Sequence, residues 1–439
     1  MFRVQQKGFP QGTITGNTML RMLPLLFISF LITLNWTICI PLFTPLIIRN
    51  FDGILPVYSS IGFRAEVYGA LLGSFFVAQI IGASIIGNIS DHYGRKKVLL
   101  FCVGVNFISS FIWNYAIAER QLAFLFLGQI MDGLMGGSRS VLYSSVADFS
   151  DESSKVKNFG LIAMASGLAV VIGPFIGSRL IDPSNGPWCG YTAPFRLISL
   201  LCAINLLHIW FSMKETAPKV EARDNTLQNL AKIPSIFRDP MKRILLLVVL
   251  FESIAFYSYT QTFQVFLDLR FNVGERTVGN IYMFLGCCFV IAQGMVVPAL
   301  SRVFKSHQVL AFSLIINSLS ILSAVIISNI YHLYAILPLF VFSRSLDTTN
   351  LNALISRLGK KDEQGTIMGI NTSTNSLAPA ITGFVSGFLE SVNSKLPDIF
   401  SATFSLIAWA IFILFFYRSA SALFRDDRTD RQTGQIKTA

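Results

Sequence analysis

Apolar runs and short polar connections alternate along the whole of this 439-residue chain. Each run approaches the roughly 20 residues that a helix needs to cross a bilayer. Twelve spans are read from the pattern, at 22–48, 68–86, 98–116, 121–143, 159–181, 194–213, 244–267, 278–300, 309–328, 334–355, 366–389 and 399–417. The predicted fold is an all-α membrane protein. The longest polar connection, 214–243, holds Pro218, Pro234 and Pro240 and divides the spans six and six. The expected organisation is an N-terminal tail (1–21), a six-helix bundle (22–213), a linker (214–243), a second six-helix bundle (244–418) and a C-terminal tail (419–439). Within the linker, 225–237 is a candidate interfacial helix, although Pro234 opposes it.

The two halves look related. Residues 90–101, SDHYGRKKVLLF, align without gaps on 301–312, SRVFKSHQVLAF, with Ser, Val, Leu and Phe recurring in step. Such a duplication predicts two pseudo-symmetric bundles.

Composition agrees with a lipid environment. The chain is 53% hydrophobic and 13% charged, whereas soluble domains carry about 25% charged residues. The net charge of +11 does not point to nucleic acid, because the basic residues gather at the ends of apolar runs. There they face an anionic leaflet and set topology, which places both termini in the cytoplasm. Of the six cysteines, Cys39, Cys102, Cys202, Cys287 and Cys288 lie in spans and Cys189 in a connection. No disulfide framework or metal spacing is expected from them, nor from the scattered His92, His208, His307 and His332. No cofactor is implied. The first apolar run is a full span and is expected to be retained.

The most informative connection is 87–100, GNISDHYGRKKVLL, between spans 2 and 3. Gly87, Asp91, Gly94, Arg95, Lys96 and Lys97 fit the pattern G-x-x-x-D-x-x-G-R-[RK]-[RK]. In pattern and place it resembles the corresponding loop of the major facilitator superfamily. Span 5 adds Gly160, Ala169, Gly173, Pro174, Gly177 and Ser178, on the spacing of that family's antiporter signature. Small residues let helices approach closely, and Pro174 bends one. Span 8, with Gly286 and Gly294, is the expected neighbour. From span 10 into span 11, Glu363, Gln364, Gly365, Gly369, Ser373, Ser376, Leu377, Gly383 and Gly387 are similar to the twelve-span drug:proton antiporters, including tetracycline exporters. Phe384 stands where that group has Pro; Trp188 and Ala193-Pro194-Phe195 resemble the tetracycline group again. The resemblance covers nearly all the chain. It implies a monomer in a bacterial inner membrane whose partners are lipid, a small molecule and protons. It also implies that Asp91 sits near the start of span 11, around Gly365 and Thr366, that Arg95 pairs with Asp148, and that these contacts hold the cytoplasmic side shut in one state.

Charges inside the spans carry the chemistry. An ionisable side chain at the bilayer centre costs about 2.5–3.5 kcal/mol on insertion scales, and so marks a functional position. Asp132 lies in span 4, Glu252 in span 7, and Arg344 and Asp347 in span 10. In the facilitator fold these are cavity-lining spans, together with span 1, whose mid-span polar residue is Asn35. Gln129, Asp132, Gly136, Arg139 and Tyr143 recur at three- or four-residue steps and make one polar stripe. Glu252, Phe256, Tyr259 and Phe263 share a face of span 7. Desolvation disfavours the charged form of a cavity carboxylate, which suits it to loading and releasing protons. Asp132 and Glu252 are therefore candidate coupling sites, with Asp347 behind them because Arg344 can pair with it. Two roles stay open for each: Asp132 and Glu252 couple protons or pair with Arg344 or Arg139 to fix packing, and Arg344 binds substrate or holds Asp347. A guanidinium suits a carboxylate or phosphate bidentately.

Three function classes compete. The first is a proton-coupled exporter of a small amphipathic compound. The second is a carrier of an anionic or zwitterionic metabolite, siderophore-like or amino-acid-like, in either direction. The third is a sensor on the same scaffold that transports nothing. An enzyme is not expected, for no nucleophile–base arrangement or metal spacing is present. The loop motif yields a test: Asp91→Asn is expected to lower turnover more than apparent affinity in a proteoliposome flux assay, because Asp91 biases a conformational equilibrium and binds no substrate.

Overall fold

A computed structural model describes residues 16–50, 53–148, 150, 152–216, 237–358 and 364–417. Residues 1–15 of the N-terminal tail, the C-terminal tail, Glu363 and most of the candidate linker helix lie outside these residues, and the side chains of Gln364, Gly365 and Thr366 outside what is described; residues 16–21, expected in the tail, belong to the first helix.

Every predicted span is helical. Span 1 runs Gly16–Ile38 and, after a turn, Phe43–Ile47; span 2 is Ile61–Tyr93 and span 3 Arg95–Ala118. Span 4 is broken into Leu122–Met135 and Ser138–Ala147. Spans 5, 6 and 7 are Glu152–Ile181, Ala193–Ser212 and Pro240–Phe271. Span 8 comprises Glu275–Ile291, a π-helical turn at Ala292–Val296 and Val297–Val303. Spans 9 to 12 are Ser306–Ala324, Ile330–Leu358, Gln364–Val392 and Leu396–Ile411, the last extended by the π-helical turn Phe412–Tyr417. Among the described residues nine helices are long and apolar enough to cross a membrane by length and composition. The remaining crossings, spans 4, 10 and 11, hold Asp132 and Arg139, Arg344 and Asp347, and the polar run 371–376. Spans 10 and 11 are diluted by these polar residues, and span 4 is split into helices of 14 and 10 residues.

Local chemistry sets the helix ends. Ser60 accepts from the Phe63 amide at 3.1 Å and starts span 2. Asp239 accepts from the Met241 amide at 2.9 Å and precedes Pro240, which suits a first helical position because it lacks an N–H. Span 7 ends at Asn272, whose φ of 46° is left-handed. Gly94, at φ 96°, separates spans 2 and 3 in a conformation that glycine adopts without strain.

Glycine seams carry the closest packing. A Cβ at Gly82 of span 2 would run into the Leu134 carbonyl of span 4, and one at Gly133 into the Phe75 carbonyl. A second seam joins the halves: Gly69 and Gly73 of span 2 lie against Gly383 and Gly387 of span 11, backbone to backbone. Span 5 uses its small residues in two directions. Gly173 and Gly177 abut Thr37 and Ile38 of span 1, and the Ala169 carbonyl accepts from Thr37 Oγ1 at 3.0 Å. Ser178 meets Gly279 of span 8, and Gly286 meets Val171. The expected span 8 contact therefore uses Gly279 and Gly286, and Gly294 faces open space, as does Gly160.

Among the described residues the polar contacts between the halves gather toward one end of the bundle. Arg49, after span 1, pairs with Asp268 at the end of span 7 and donates to the Val273 carbonyl at 2.8 Å. Arg276 donates to Asp182 at 2.6 Å, and Ser391 to Glu66 at 3.1 Å. Deeper in, Gln264 donates to the Pro41 carbonyl at 2.7 Å and Tyr68 to the Gln261 carbonyl at 3.0 Å. Asp182 stands in the connection after span 5, where hydrogen bonds from Ser184 and then Arg276 hold its carboxyl below the usual range. At the opposite end, around Gly94, the Arg95 contacts stay within one half. The bundle is drawn together at its Arg49 end. The seam is testable. Gly82→Ala is expected to cost about 1–3 kcal/mol by overpacking, whereas Gly104→Ala, which meets open space, stays within about 0.5 kcal/mol. Thermal unfolding of the two variants in detergent compares them.

Candidate functional site

Glu252 sits mid-helix in span 7 with 0% exposure, and three other helices reach it. Asn317 of span 9 donates to Oε1 at 2.7 Å, and Arg344 of span 10 donates to the same oxygen at 3.3 Å. Ser405 of span 12 donates to Oε2 at 3.1 Å. A further layer holds these donors: Ser318 donates to Ser405 Oγ at 2.9 Å and Ser343 to Asn317 Oδ1 at 3.4 Å. A buried carboxylate is penalised by several kcal/mol unless it is paired and its lone pairs are satisfied; here both conditions are met. Among the described residues this is the one hydrogen bond that Arg344 donates, although a guanidinium has five N–H groups. Its plane lies over Phe256, 4.2 Å from the ring centroid, so the cation is held from one side and keeps donors for a ligand.

Arg344 thus pairs across to span 7 and not with Asp347. The reason is geometric. Side chains on a helix lean toward its N-terminus, so Arg344 leans away from an acid three residues later. Asp347, at 0% exposure, accepts from Ser313 through Oδ1, and Oδ2 has no partner among the described residues.

The aromatic face of span 7 divides. Phe256 stacks on Phe340 with centroids 6.2 Å apart, and Tyr259 meets the same ring at 4.8 Å. Tyr259 and Phe263, with Tyr282, Leu285 and Leu337, line a cavity of about 50 Å³. Phe340, which also lines this apolar niche, connects it to Phe256, the ring under Arg344.

The facing half is less enclosed. Gln129 is buried, Asp132 half-buried and Arg139 exposed. The span 4 stripe is broken at Gly136 and Gly137, where Gly82 and Gln79 press against the backbone. Tyr143 turns to Phe159 of span 5, with ring centroids 5.3 Å apart, and leaves the stripe. Arg139 reaches toward Tyr257 of span 7 and is still exposed, so the space between the halves is open there. Asn35 donates to Cys202 Sγ at 3.1 Å, and its Oδ1 has no partner among the described residues. Asp132 lies among Cys39, Cys202 and Arg139 and makes no ion pair among the described residues.

At the Gly94 end, Arg95 is buried and pairs with Asp91 and with Asp148 at 3.2 Å, and it donates to Ser90. Asp91 is turned to Arg95 on its own half. Glu215 accepts from the Arg95 amide at 2.7 Å, so an acid at the start of the linker caps span 3. Gly87 meets nothing within 4 Å.

Sequence reasoning named Glu252, Arg344 and Asp347 but missed Asn317, Ser405, Ser313 and Ser343. Each is a small polar residue inside an apolar span, which by itself is common. A signal was available: the register that sets Ser90 on Ser301 also sets Asn106 on Asn317, and both are buried.

Two packed groups of long apolar helices, with a buried ion pair inside the second, have the build of a membrane transporter. The sequence profile of the Major Facilitator Superfamily matches residues 25–383, and the chain belongs to that family. The class D tetracycline resistance protein of Salmonella ordonez is 25% identical over 334 residues, covering 76% of this chain and 82% of that protein. Major facilitator superfamily domain-containing protein 10 of Mus musculus is 25% identical over 405 residues, covering 82% and 85%. The crystal structure of the human organic anion transporter MFSD10 (TETRAN) matches with a TM-score of 0.65 at 20% identity, over 91% of this chain and 100% of that one. The protein is therefore a facilitator-fold transporter and not an enzyme.

The Glu252 pair makes a stability prediction. Arg344→Gln alone is expected to destabilise by about 3–5 kcal/mol at neutral pH, because it leaves a buried carboxylate without its cation. Adding Glu252→Gln should recover most of that loss in thermal unfolding.

Proposed function

We propose that the protein exports a small amphipathic compound across a bacterial inner membrane in exchange for protons, with the Gly94 end and both termini in the cytoplasm. The observation that carries the reading is the Glu252–Arg344 pair. Its carboxylate has 0% exposure, and its guanidinium lies over Phe256 beside the aromatic niche. A proton on Glu252 releases Arg344, and a ligand on Arg344 releases Glu252, so the two cargoes compete through one ion pair. Asp132, on the facing half and half-buried, is the second proton candidate. Asn35, Gln129, Phe256, Tyr259 and Phe263 are the candidate substrate contacts, and Asp347 a further acid behind them. Gly87, Asp91, Gly94, Arg95 and Asp148 are the candidate gate residues, with the Arg95 ion pairs to Asp91 and Asp148 formed within the first half. Support for the cargo class comes from the tetracycline resistance proteins among the relatives. Basic residues concentrated at the Gly94 end support the orientation.

A second reading, an anionic or zwitterionic metabolite, draws on the single hydrogen bond that Arg344 donates among the described residues and on the organic anion transporter among the structural relatives. A flux assay in proteoliposomes, using tetracycline and a carboxylate-bearing aromatic as probes, tests both. An imposed pH gradient should drive transport at least tenfold above the protonophore-treated level, and Glu252→Gln should abolish that drive while leaving exchange at zero gradient. If Asp132→Asn and Glu252→Gln both leave gradient-driven transport intact, proton coupling through these acids is wrong. Arg344→Gln that weakens the anionic probe and spares the neutral one selects the second reading.

A further inference from the structure

One pair of acids has no part in the site above. Glu390 ends span 11 and Asp398 opens span 12, both toward the Arg49 end, with exposures of 6% and 2%. Neither oxygen of Glu390 has a hydrogen-bond partner among the described residues, and Asp398 Oδ2 has none either. The two acids interact electrostatically with each other. From the packed helices, Tyr68 of span 2 faces Glu390, and Arg270 and Tyr259 of span 7 face Asp398. Arg270 itself donates to the Val325 carbonyl at 3.0 Å and lies over the Phe266 ring, and it makes no ion pair with either acid among the described residues. An ionised carboxylate can only accept hydrogen bonds, and burying one without donors is strongly unfavourable. Two such acids beside one guanidinium reach neutrality by keeping one proton between them.

Two further features give that proton an entrance and a destination. Span 2 of the other half covers the acids: Gly62 abuts Ser391, Ala65 abuts Gly387, and Ser391 Oγ donates to Glu66. Along span 12, Ser401 and Ser405 follow Asp398 on the same face, both at 0% exposure. Ser401 donates to the Ala255 carbonyl at 2.5 Å and Ser405 to Glu252 at 3.1 Å. At 1.5 Å per residue the stripe from Asp398 to Ser405 spans about 10 Å.

We infer that Glu390 and Asp398 form a second proton site, sealed while spans 2 and 11 are together and opened to solution on the Arg49 side when they part. Loading takes a proton from hydronium, leaving water and one new carboxyl O–H bond; unloading breaks that bond. The Ser401–Ser405 stripe links the pair to Glu252. That link rests on the proton coupling proposed above, whereas the site itself does not.

Infrared difference spectra of the purified full chain during a pH change test the site, with protons as the only added probe. A protonated-carboxyl band that shifts in D₂O should vanish in Glu390→Gln and in Asp398→Asn, both near-isosteric, and persist in Glu252→Gln. Gly62→Cys with Ser391→Cys locks the seam, since a Cβ at Gly62 lies 3.4 Å from Ser391 Cβ. The oxidised lock should stop the band responding to pH, and reduction should restore the response. The inference is overturned if the band survives in both acid variants or if the lock leaves its response unchanged. It is also overturned if sodium, potassium or magnesium at constant pH removes the band, which would make this a cation site. A persistent band with no gradient-driven flux in the wild-type protein rejects the coupling reading and leaves the proton site standing.

Discussion

A carboxylate inside hydrocarbon dictates how this half of the molecule is built. Glu252 has no access to water, so its lone pairs must be met by protein, and spans 9, 10 and 12 each send a donor. Removing any one would leave a buried acceptor short of a partner. Four helices are thereby fixed to one another through a single side chain. The arrangement is also conditional, because protonating Glu252 removes the charge that holds Arg344. Under the proposed proton coupling, a packing device and a switch would be the same set of atoms.

A second constraint acts between the halves. The Gly69, Gly73, Gly383 and Gly387 seam lets spans 2 and 11 approach by backbone, with the Phe384 ring lying against Gly73 and Ser391 donating to Glu66. The Arg49–Asp268 and Arg276–Asp182 contacts close the same end; the first is largely buried, whereas Arg276 is half exposed, and a surface pair of that kind contributes about 0–1 kcal/mol. At the Gly94 end, the Arg95 ion pairs among the described residues lie within one half.

How far the internal duplication reaches is visible in these residues. Asn106 and Asn317 occupy matching positions and are both buried, yet only Asn317 has a carboxylate to serve; Asn106 Oδ1 has no partner among the described residues. In the first half the charge has moved to span 4, where Asp132 stands half-buried near an exposed Arg139. One bundle keeps a closed, fully bonded acid. The other keeps a wetter acid beside the gap. Two acids in unlike surroundings can take different parts in one cycle.

Much of this was legible in the residues alone, because hydrocarbon is an exacting solvent. It requires long apolar helices, penalises interior charge and biases basic residues to one side, so the spans, their number, the loop motif and the positions of Asp132, Glu252, Arg344 and Asp347 could all be read directly. Partnership could not. That Arg344 reaches Glu252 ninety-two positions away and not Asp347 on its own helix, and that the small residues of span 5 mostly serve span 1, depend on which helix faces lie together. So does the burial of Glu390 and Asp398, which in the chain stand at helix ends where acids are ordinarily solvated. Helix-forming pattern is local and survives in a one-dimensional string, whereas the direction a side chain takes across a gap is set by packing between distant segments.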